Sequence, residues 1–120
     1  YRRFCFETLS LAELETYLGK GTQERYQILL AHNPMCFAAY EEWGADLTLS
    51  GHLHGGFLRL PFLGGIVSPQ CVPFPRYDRG IFVKNGHYMA VSAGLGSHSR
   101  IPRIGNPTEL VVVDLFRKRC

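Results

Sequence analysis

The segment Gly51-His52-Leu53-His54-Gly55-Gly56 is the part of the sequence that indicates most about the fold and the chemistry of this chain. Two imidazoles stand two positions apart between glycines, and a third, His32, follows the apolar run of residues 29–31. Neutral imidazole is a common ligand of zinc, iron and manganese. Glycine tolerates positive φ and lets the backbone come close to an ion or a substrate. The sequence therefore predicts that His32, His52 and His54 are metal ligands.

The spacing of the histidine pair leaves the number of ions open. In an extended segment, residues two apart project to the same side, with their Cα atoms roughly 6.5 Å apart. One ion accepts both imidazoles if the loop curls, whereas two ions about 3.5–4 Å apart, as in binuclear hydrolases, would take one each. His32 would add a further ligand from the neighbouring strand end.

The order of the predicted elements is strand, loop, helix, strand, loop up to residue 56, followed mainly by β structure. Ser10-x-x-Glu13 predicts a helix that runs to Leu18 and ends at Gly19. A second helix is predicted over 35–43 after Pro34, and a hairpin turn at Asn85-Gly86. Strands are predicted over 26–31, 46–50, 57–60, 80–84, 87–93 and 110–116.

These elements predict an α/β fold in the first half of the chain and mainly β structure in the second half, so that the whole is of the α/β or α+β class. The histidine motifs then fall at the carboxyl ends of neighbouring strands, where ligand sites of α/β sheets gather. His87 follows the hairpin turn, and we expect it to be exposed.

Length and composition restrict the class of protein. The chain has 120 residues, 46% of them hydrophobic, which is ordinary for one globular domain or a part of one. It has no initiator Met, no signal-peptide pattern and no apolar stretch near the roughly 20 residues that cross a bilayer. We therefore expect a fragment of a protein that is cytoplasmic or anchored at the membrane. A net charge of +3 is too small to indicate nucleic-acid binding.

The four cysteines are far apart and form no C-x-x-C pair, which excludes zinc-ribbon and thioredoxin-like sites. A disulfide framework is not expected in a chain with this much apolar core, so reduced and mostly buried thiols are predicted.

Several short stretches make the chain resemble the calcineurin-like metallophosphoesterases, and in particular the bacterial branch whose loop reads G-H-T-H-G-G-Q. The resemblance runs from about Tyr26 to Leu115. The order and spacing of the motifs make it specific. The agreeing stretches are Leu30-Ala31-His32-Asn33-Pro34, residues 46–50, Gly51-His52-Leu53-His54, Arg59-Leu60-Pro61 and Gly94-Leu95-Gly96.

The resemblance implies a four-layer α-β-β-α sandwich, of which residues 1–120 are the C-terminal portion of a single domain. It also implies a site with two divalent ions (Mn, Fe or Zn), one bound by His32 and His52 and the other by His54. Two such ions lower the pKa of a nucleophilic water and neutralise the charge of the phosphoryl oxygens. The implied activity of the complete protein is the hydrolysis of phosphoesters.

The chain departs from the family pattern in its first 27 residues, where the family's D-x-H, G-D and G-N-H-[DE] motifs do not occur. We therefore assign no catalytic residue within it and expect the isolated chain to be nearly inactive. Without half of a sandwich, it is also expected to expose an apolar face and to form homodimers or swap strands. Leu53 and Phe57 replace the Thr and Gln of the branch, which removes two polar side chains beside the histidines.

Three residues are candidate contacts to a substrate phosphate, namely Arg59, His98 and Arg100. The apolar segment Phe57–Val67 is predicted to be a core strand, and the alternative is a lip that touches a membrane surface or an acyl chain. Some members of the resembling branch act on lipid-linked phosphoesters, which is consistent with that alternative.

Two rival functions stay open. Three histidines alone make a mononuclear metal site with an open position, and a half-site of this kind is also compatible with a non-catalytic interaction module. Metal content distinguishes them, because a binuclear hydrolase holds two ions, a mononuclear enzyme one and a module none. Cupins and metallo-β-lactamase folds are excluded because their additional acidic ligands are missing after His54.

Overall fold

A four-stranded mixed sheet with helices on one face organises the part of the chain that the structure describes. The structure is a computed structural model and describes residues 9–56, 58–60, 62, 64–67, 74–96 and 103–117. Its elements are α1 (Leu11–Leu18), β1 (Ile28–Leu30), a 3-10 turn (Pro34–Cys36), α2 (Phe37–Trp43), β2 (Leu47–Ser50), β3 (Leu58–Leu60), β4 (Gly64–Val67), β5 (Gly80–Lys84) and β6 (His87–Val91).

The strands of the main sheet lie in the order β1-β2-β6-β5. β1, β2 and β6 run parallel, whereas β5 runs antiparallel to β6 and joins it through the predicted turn at Asn85-Gly86. The short strands β3 and β4 form a separate antiparallel pair. The predicted α/β to α+β class is confirmed. No helix in the described ranges is long and apolar enough to cross a membrane.

α1 begins and ends where its sequence predicts. The Glu13 amide donates to Ser10 Oγ at 3.2 Å, and the Ser10 amide donates to the Glu13 carboxylate at 2.9 Å. This capping box satisfies backbone donors that have no partner inside the helix. Gly19, at φ 77°, ends the helix and donates its amide to the Glu15 carbonyl.

The predicted helix over 35–43 is confirmed, with its first turn tightened into 3-10 geometry. Pro34 occupies the first position, where a missing N–H does no harm. The Asn33 side chain accepts from the Met35 amide at 3.0 Å. Gly44 ends α2 in the left-handed conformation at φ 99°.

Both helices pack against the same face of the main sheet. Burying one large apolar side chain contributes roughly 1.5–3 kcal/mol to stability, so this layer holds the central strands and the loops that follow them. The buried cluster consists of Leu14, Leu29, Phe37, Tyr40, Ala45, Met89 and Val91.

The opposite face of the sheet is apolar and open. The register places Ile28, Tyr88 and Val83 in one row across the sheet, and Leu30 and Ile81 in the next. All five are exposed, Leu30 at 77% and Ile81 at 75%. The described strands thus carry an uncovered apolar face, as expected from the sequence.

The strand predicted over 110–116 is wrong. The structure assigns no strand to these residues, and Leu110, Val112 and Phe116 are largely exposed. β-Branched residues favour extended backbone, but a strand forms only where an adjacent edge satisfies its N–H and C=O groups. None of the described strands pairs with this segment.

The strands predicted over 26–31 and 87–93 are shorter than expected. β1 covers only Ile28–Leu30, and of these residues only Leu29 is buried. β1 lies at the sheet edge with helices on one face, so its other two side chains project from the open face. β6 ends at Val91 rather than at residue 93.

An ion pair joins α2 to the β5–β6 hairpin. The Glu41 carboxylate accepts hydrogen bonds from Lys84 Nζ and Asn85 Nδ2. The hydrogen bond from Lys84 is the main cause that lowers the pKa of Glu41 below its usual value of 4.5. A carboxylate whose pKa is lower in the folded state adds stability above its unfolded pKa, and this stability is lost as the pH falls through the folded pKa.

Glu41→Gln is therefore expected to destabilise the protein by about 0.2–1 kcal/mol at pH 7, the range for ion pairs at the surface, because the Lys84 side chain is 45% exposed. The difference from wild type should shrink as the pH is lowered below 4.5. Urea unfolding at pH 7, 5 and 3.5 measures it. Glu42→Gln is the control, because Glu42 is exposed on the same helix. A Glu41 difference that does not change with pH would contradict this account.

Candidate metal centre

The parallel pairing of β1 and β2 brings the predicted histidines to one edge of the sheet. His32 follows β1 by two residues, and the loop 51–56 follows β2 directly. The pairing continues past the strand ends, because the Ala31 amide donates to the Leu49 carbonyl and the Gly51 amide donates to the His32 carbonyl. The two segments that carry the histidines are therefore fixed to each other through the backbone.

The rings of His32 and His52 are in contact. His32 Nε2 and His52 Nδ1 lie 2.9 Å apart, and the ring centroids are 4.6 Å apart at an interplanar angle of 66°. The 2.9 Å contact is a hydrogen bond between the two rings. Two nitrogens that bind one ion at ~2.1 Å are roughly 3.0 Å apart at a right angle and roughly 3.4 Å apart at the tetrahedral angle, so the two rings lie close to the spacing of neighbouring ligands. His32 is exposed, so the pair is accessible from solvent.

The backbone of the loop takes unusual conformations to present these rings. His52 has φ 71° and His54 has φ 50°, both in the left-handed region that non-glycine residues rarely adopt. Such positions cost of order 1–3 kcal/mol each and gather at functional sites. Leu53, between the two histidines, is only 4% exposed. The leucine that replaces the branch's threonine thus anchors the loop in the interior.

His54 points to a different neighbour. Its Nδ1 lies 3.1 Å from Arg103 Nη2. A guanidinium only donates, so Nδ1 accepts in this contact. In the described part of the chain, no group of three or more His, Cys, Asp or Glu side chains is arranged to hold an ion. The structure thus brings His32 and His52 together and does not join His54 to them.

The His32 end of the site is supported by α2. The Tyr40 hydroxyl donates to the Asn33 carbonyl at 2.9 Å, next to His32. Burial, followed by the proximity of Cys36, raises the pKa of Tyr40. The phenol is therefore a hydrogen-bond donor at all physiological pH values. Cys36 is half-buried, and its Sγ lies 3.9 Å from Asn33 Nδ2.

Of the three predicted substrate contacts, the structure describes only Arg59. Arg59 Nη1 pairs with Asp78 Oδ2 at 2.6 Å, and the same carboxylate oxygen accepts from the Gly65 amide at 2.8 Å. His98 and Arg100 lie outside the described residues. The role of all three in phosphate binding stays a prediction.

Two residues near the site, Arg103 and Asn106, were not indicated by sequence reasoning. Both contact the histidine loop, yet they follow His54 by 49 and 52 residues. No local spacing links them to it. His87, which we expected to be exposed, is half-buried with Nδ1 2.7 Å from the Ala45 carbonyl, because β6 begins beside the residues that lead into β2.

Tyr40→Phe should lower the free energy of unfolding by about 1 kcal/mol, because it leaves the Asn33 carbonyl without its donor. Chemical denaturation measures the loss, and NMR resonances of His32 should shift. Tyr26→Phe is the control, since Tyr26 is exposed. Equal effects of both substitutions would show that the Tyr40 hydroxyl does not support the loop.

Comparison with known proteins identifies relatives of one kind. An uncharacterized metallophosphoesterase of Aquifex aeolicus is 33% identical over 119 residues, which cover 98% of this chain and 41% of that protein. The uncharacterized metallophosphoesterase YkuE of Bacillus subtilis is 33% identical over 91 residues (75% of this chain, 30% of YkuE). The phosphodiesterase YaeI of Escherichia coli is 35% identical over 71 residues (59% of this chain, 26% of YaeI).

The chain spans less than half the length of these curated relatives. No family model matches it, and no solved structure matches it. Its likeness to several metallophosphoesterases covers three quarters or more of its length. The chain belongs to the metallophosphoesterase family.

Proposed function

We propose that the complete protein hydrolyses phosphodiesters with two divalent ions, and that this chain supplies three of the ligands. The observation that supports this most directly is the 2.9 Å separation between His32 Nε2 and His52 Nδ1. One ion would be held by these two nitrogens and the other by His54.

Two ions fit the arrangement of the three rings better than one. His32 and His52 face each other, whereas His54 contacts Arg103 and stands apart from the pair. Three neutral imidazoles also bring no negative charge, so carboxylates from elsewhere in the complete protein would balance the charge of the ions. When bound, two divalent ions supply a nucleophile at neutral pH and neutralise the charge of the phosphoryl oxygens.

The residues of this chain would bind the ions and orient the substrate phosphate. His32 and His52 present their nitrogens at one edge, and buried Leu53 holds the loop that carries His52 and His54. Arg59 keeps donors besides the Nη1 that Asp78 engages, and with these it would contact a substrate phosphate. His98 and Arg100 are proposed as further contacts to the same phosphate.

The proposal is tested on the complete protein loaded with Mn²⁺, with bis(4-nitrophenyl) phosphate as substrate. His52→Asn should lower kcat roughly 100-fold or more and remove one ion per chain, because it takes away a metal ligand. Elemental analysis counts the ions. The control is His87→Asn, since His87 lies at the other end of the strands, beside Ala45.

Metal content also decides between this function and its rivals. Two ions per wild-type chain support the binuclear hydrolase. One ion indicates a mononuclear three-histidine enzyme, and none indicates an interaction module. A wild-type rate unaffected by His52→Asn would contradict the proposal.

The nature of the group esterified to the phosphate is proposed from the β3–β4 hairpin. Phe62, between the two strands, is fully exposed, and an exposed aromatic ring suits contact with an acyl chain or a membrane surface. A lipid-linked substrate, membrane contact and a cytoplasmic or membrane-peripheral location all stay predictions.

The open sheet face predicts how the isolated 120-residue chain behaves. Exposed apolar rows of this kind favour association, so the chain alone should form dimers at micromolar concentration in analytical ultracentrifugation. Ile81→Lys should shift it toward monomer by placing a charge on that face. Leu18→Lys, which adds the same charge on α1, should not. A monomer at every concentration would exclude the predicted homodimer.

A further inference from the structure

A short segment far along the chain lies against the histidine loop. Residues 103–106, here called the 103–106 brace, contact the loop 51–56, the strand β3 and the residues that follow β6. The Arg59 amide donates to the Ile104 carbonyl at 3.0 Å, and Leu58 and Ile104 form an isolated parallel bridge. The brace therefore adds backbone pairing at one edge of β3.

The side chain of Asn106 reaches into the turn that carries His54. Asn106 is 4% exposed, and its Nδ2 donates to the carbonyls of both His54 and Gly56. These two carbonyls flank Gly55, so one amide group holds both ends of the turn. His54, Gly55 and Gly56 all have positive φ, at 50°, 69° and 85°. Residues in such conformations persist only where their surroundings fix them.

Gly55 and Asn106 fit each other closely. A Cβ atom at Gly55 would lie 2.7 Å from Asn106 Oδ1, closer than real Cβ contacts allow. Within the described ranges, that oxygen is buried and has no hydrogen-bond partner. A buried amide that leaves its own oxygen unpaired is explained by what its nitrogen does for the loop.

Arg103 fixes the other side of the same turn. Its Nη2 donates to the Ala93 carbonyl at 2.6 Å and its Nη1 to the Gly94 carbonyl at 3.1 Å. The same Nη2 lies 3.1 Å from His54 Nδ1. Nη2 also donates to the Gly96 carbonyl, so backbone oxygens take both of its hydrogens, and the guanidinium anchors the loop after β6 beside the His54 ring.

We propose that Asn106 is a positioning residue that fixes the backbone of His54 for the second ion. This inference rests on the proposed two-ion function, and it makes a separate claim about the loop itself. Asn106 sets the backbone on which His54 is carried. The contact from Arg103 to His54 Nδ1 belongs to the metal-free protein, because a neutral imidazole has one lone pair and cannot give it to both a guanidinium and an ion. Neither residue is assigned to the ion bound by His32 and His52.

The experiment uses Asn106→Ala and Asn106→Leu in the complete protein, since both remove the hydrogen bonds that Nδ2 donates. The matched control is Asn85→Ala, which also removes an amide hydrogen bond, to Glu41, at a residue with φ 49° far from the loop. The first measurement is hydrogen exchange in the metal-free proteins. Asn106→Ala should raise exchange of the amides in 51–56 at least tenfold and leave 81–91 unchanged, whereas Asn85→Ala should do the reverse.

The second measurement is titration with Mn²⁺ by calorimetry, with electron paramagnetic resonance to detect coupling between two ions. Partners of metal ligands typically change affinity 10- to 100-fold. Both brace variants should therefore weaken one ion by about that factor, leave the other within about threefold, and lose the coupled signal. If Asn106→Ala does not fold, Asn106→Leu carries both measurements, because it keeps the size of the buried side chain.

Unchanged exchange in 51–56, or equal weakening of both ions, would overturn the inference. A wild-type protein that binds fewer than two ions would contradict the proposed function and the assignment of His54 to a second ion. The exchange result would even then decide whether the brace holds the loop.

Discussion

The parallel pairing of β1 with β2 is the constraint on which the rest of this structure depends. Its register, Leu30 opposite Leu49, sets the two strand ends level. The backbone pairing then continues one step beyond, from the Gly51 amide to the His32 carbonyl. Because of this pairing, two histidines twenty residues apart bring their ring nitrogens to 2.9 Å.

Presenting the rings requires a loop that would be unstable alone. His52 and His54 both have positive φ, and the free energy they cost must be offset by their surroundings. Buried Leu53 anchors the loop from within, and the 103–106 brace holds it from outside. Among the described residues, Arg103 and Asn106, about fifty positions later in the chain, contact His54. Helix α2 supports His32 instead, through the Tyr40 hydroxyl.

The sequence predicted the structural features that depend on residues close to one another along the chain. The capping box of Ser10 and Glu13, the glycines that end both helices and the turn at Asn85-Gly86 all act within four residues. The convergence of His32 and His52 followed from the geometry of parallel strands. The placement of His54 beside Arg103 did not follow, because that contact spans 49 residues and no local periodicity encodes it.

The strand predicted over 110–116 failed for a related reason. A run of β-branched residues specifies extended backbone, but the partner edge that turns it into a strand belongs to the tertiary structure. The same holds for β1, where the apolar sequence predicted burial and the position at the sheet edge exposed two of three side chains. Sequence thus specifies which residues are apolar, and topology decides which of them are covered.

The most direct test of this account is the anomalous scattering of Mn²⁺ in crystals of the complete protein. Two peaks about 3.5–4 Å apart are expected, one at ligand distance from both His32 Nε2 and His52 Nδ1 and the other beside His54. A map without a peak between His32 and His52, or with ions bound only elsewhere, would contradict it.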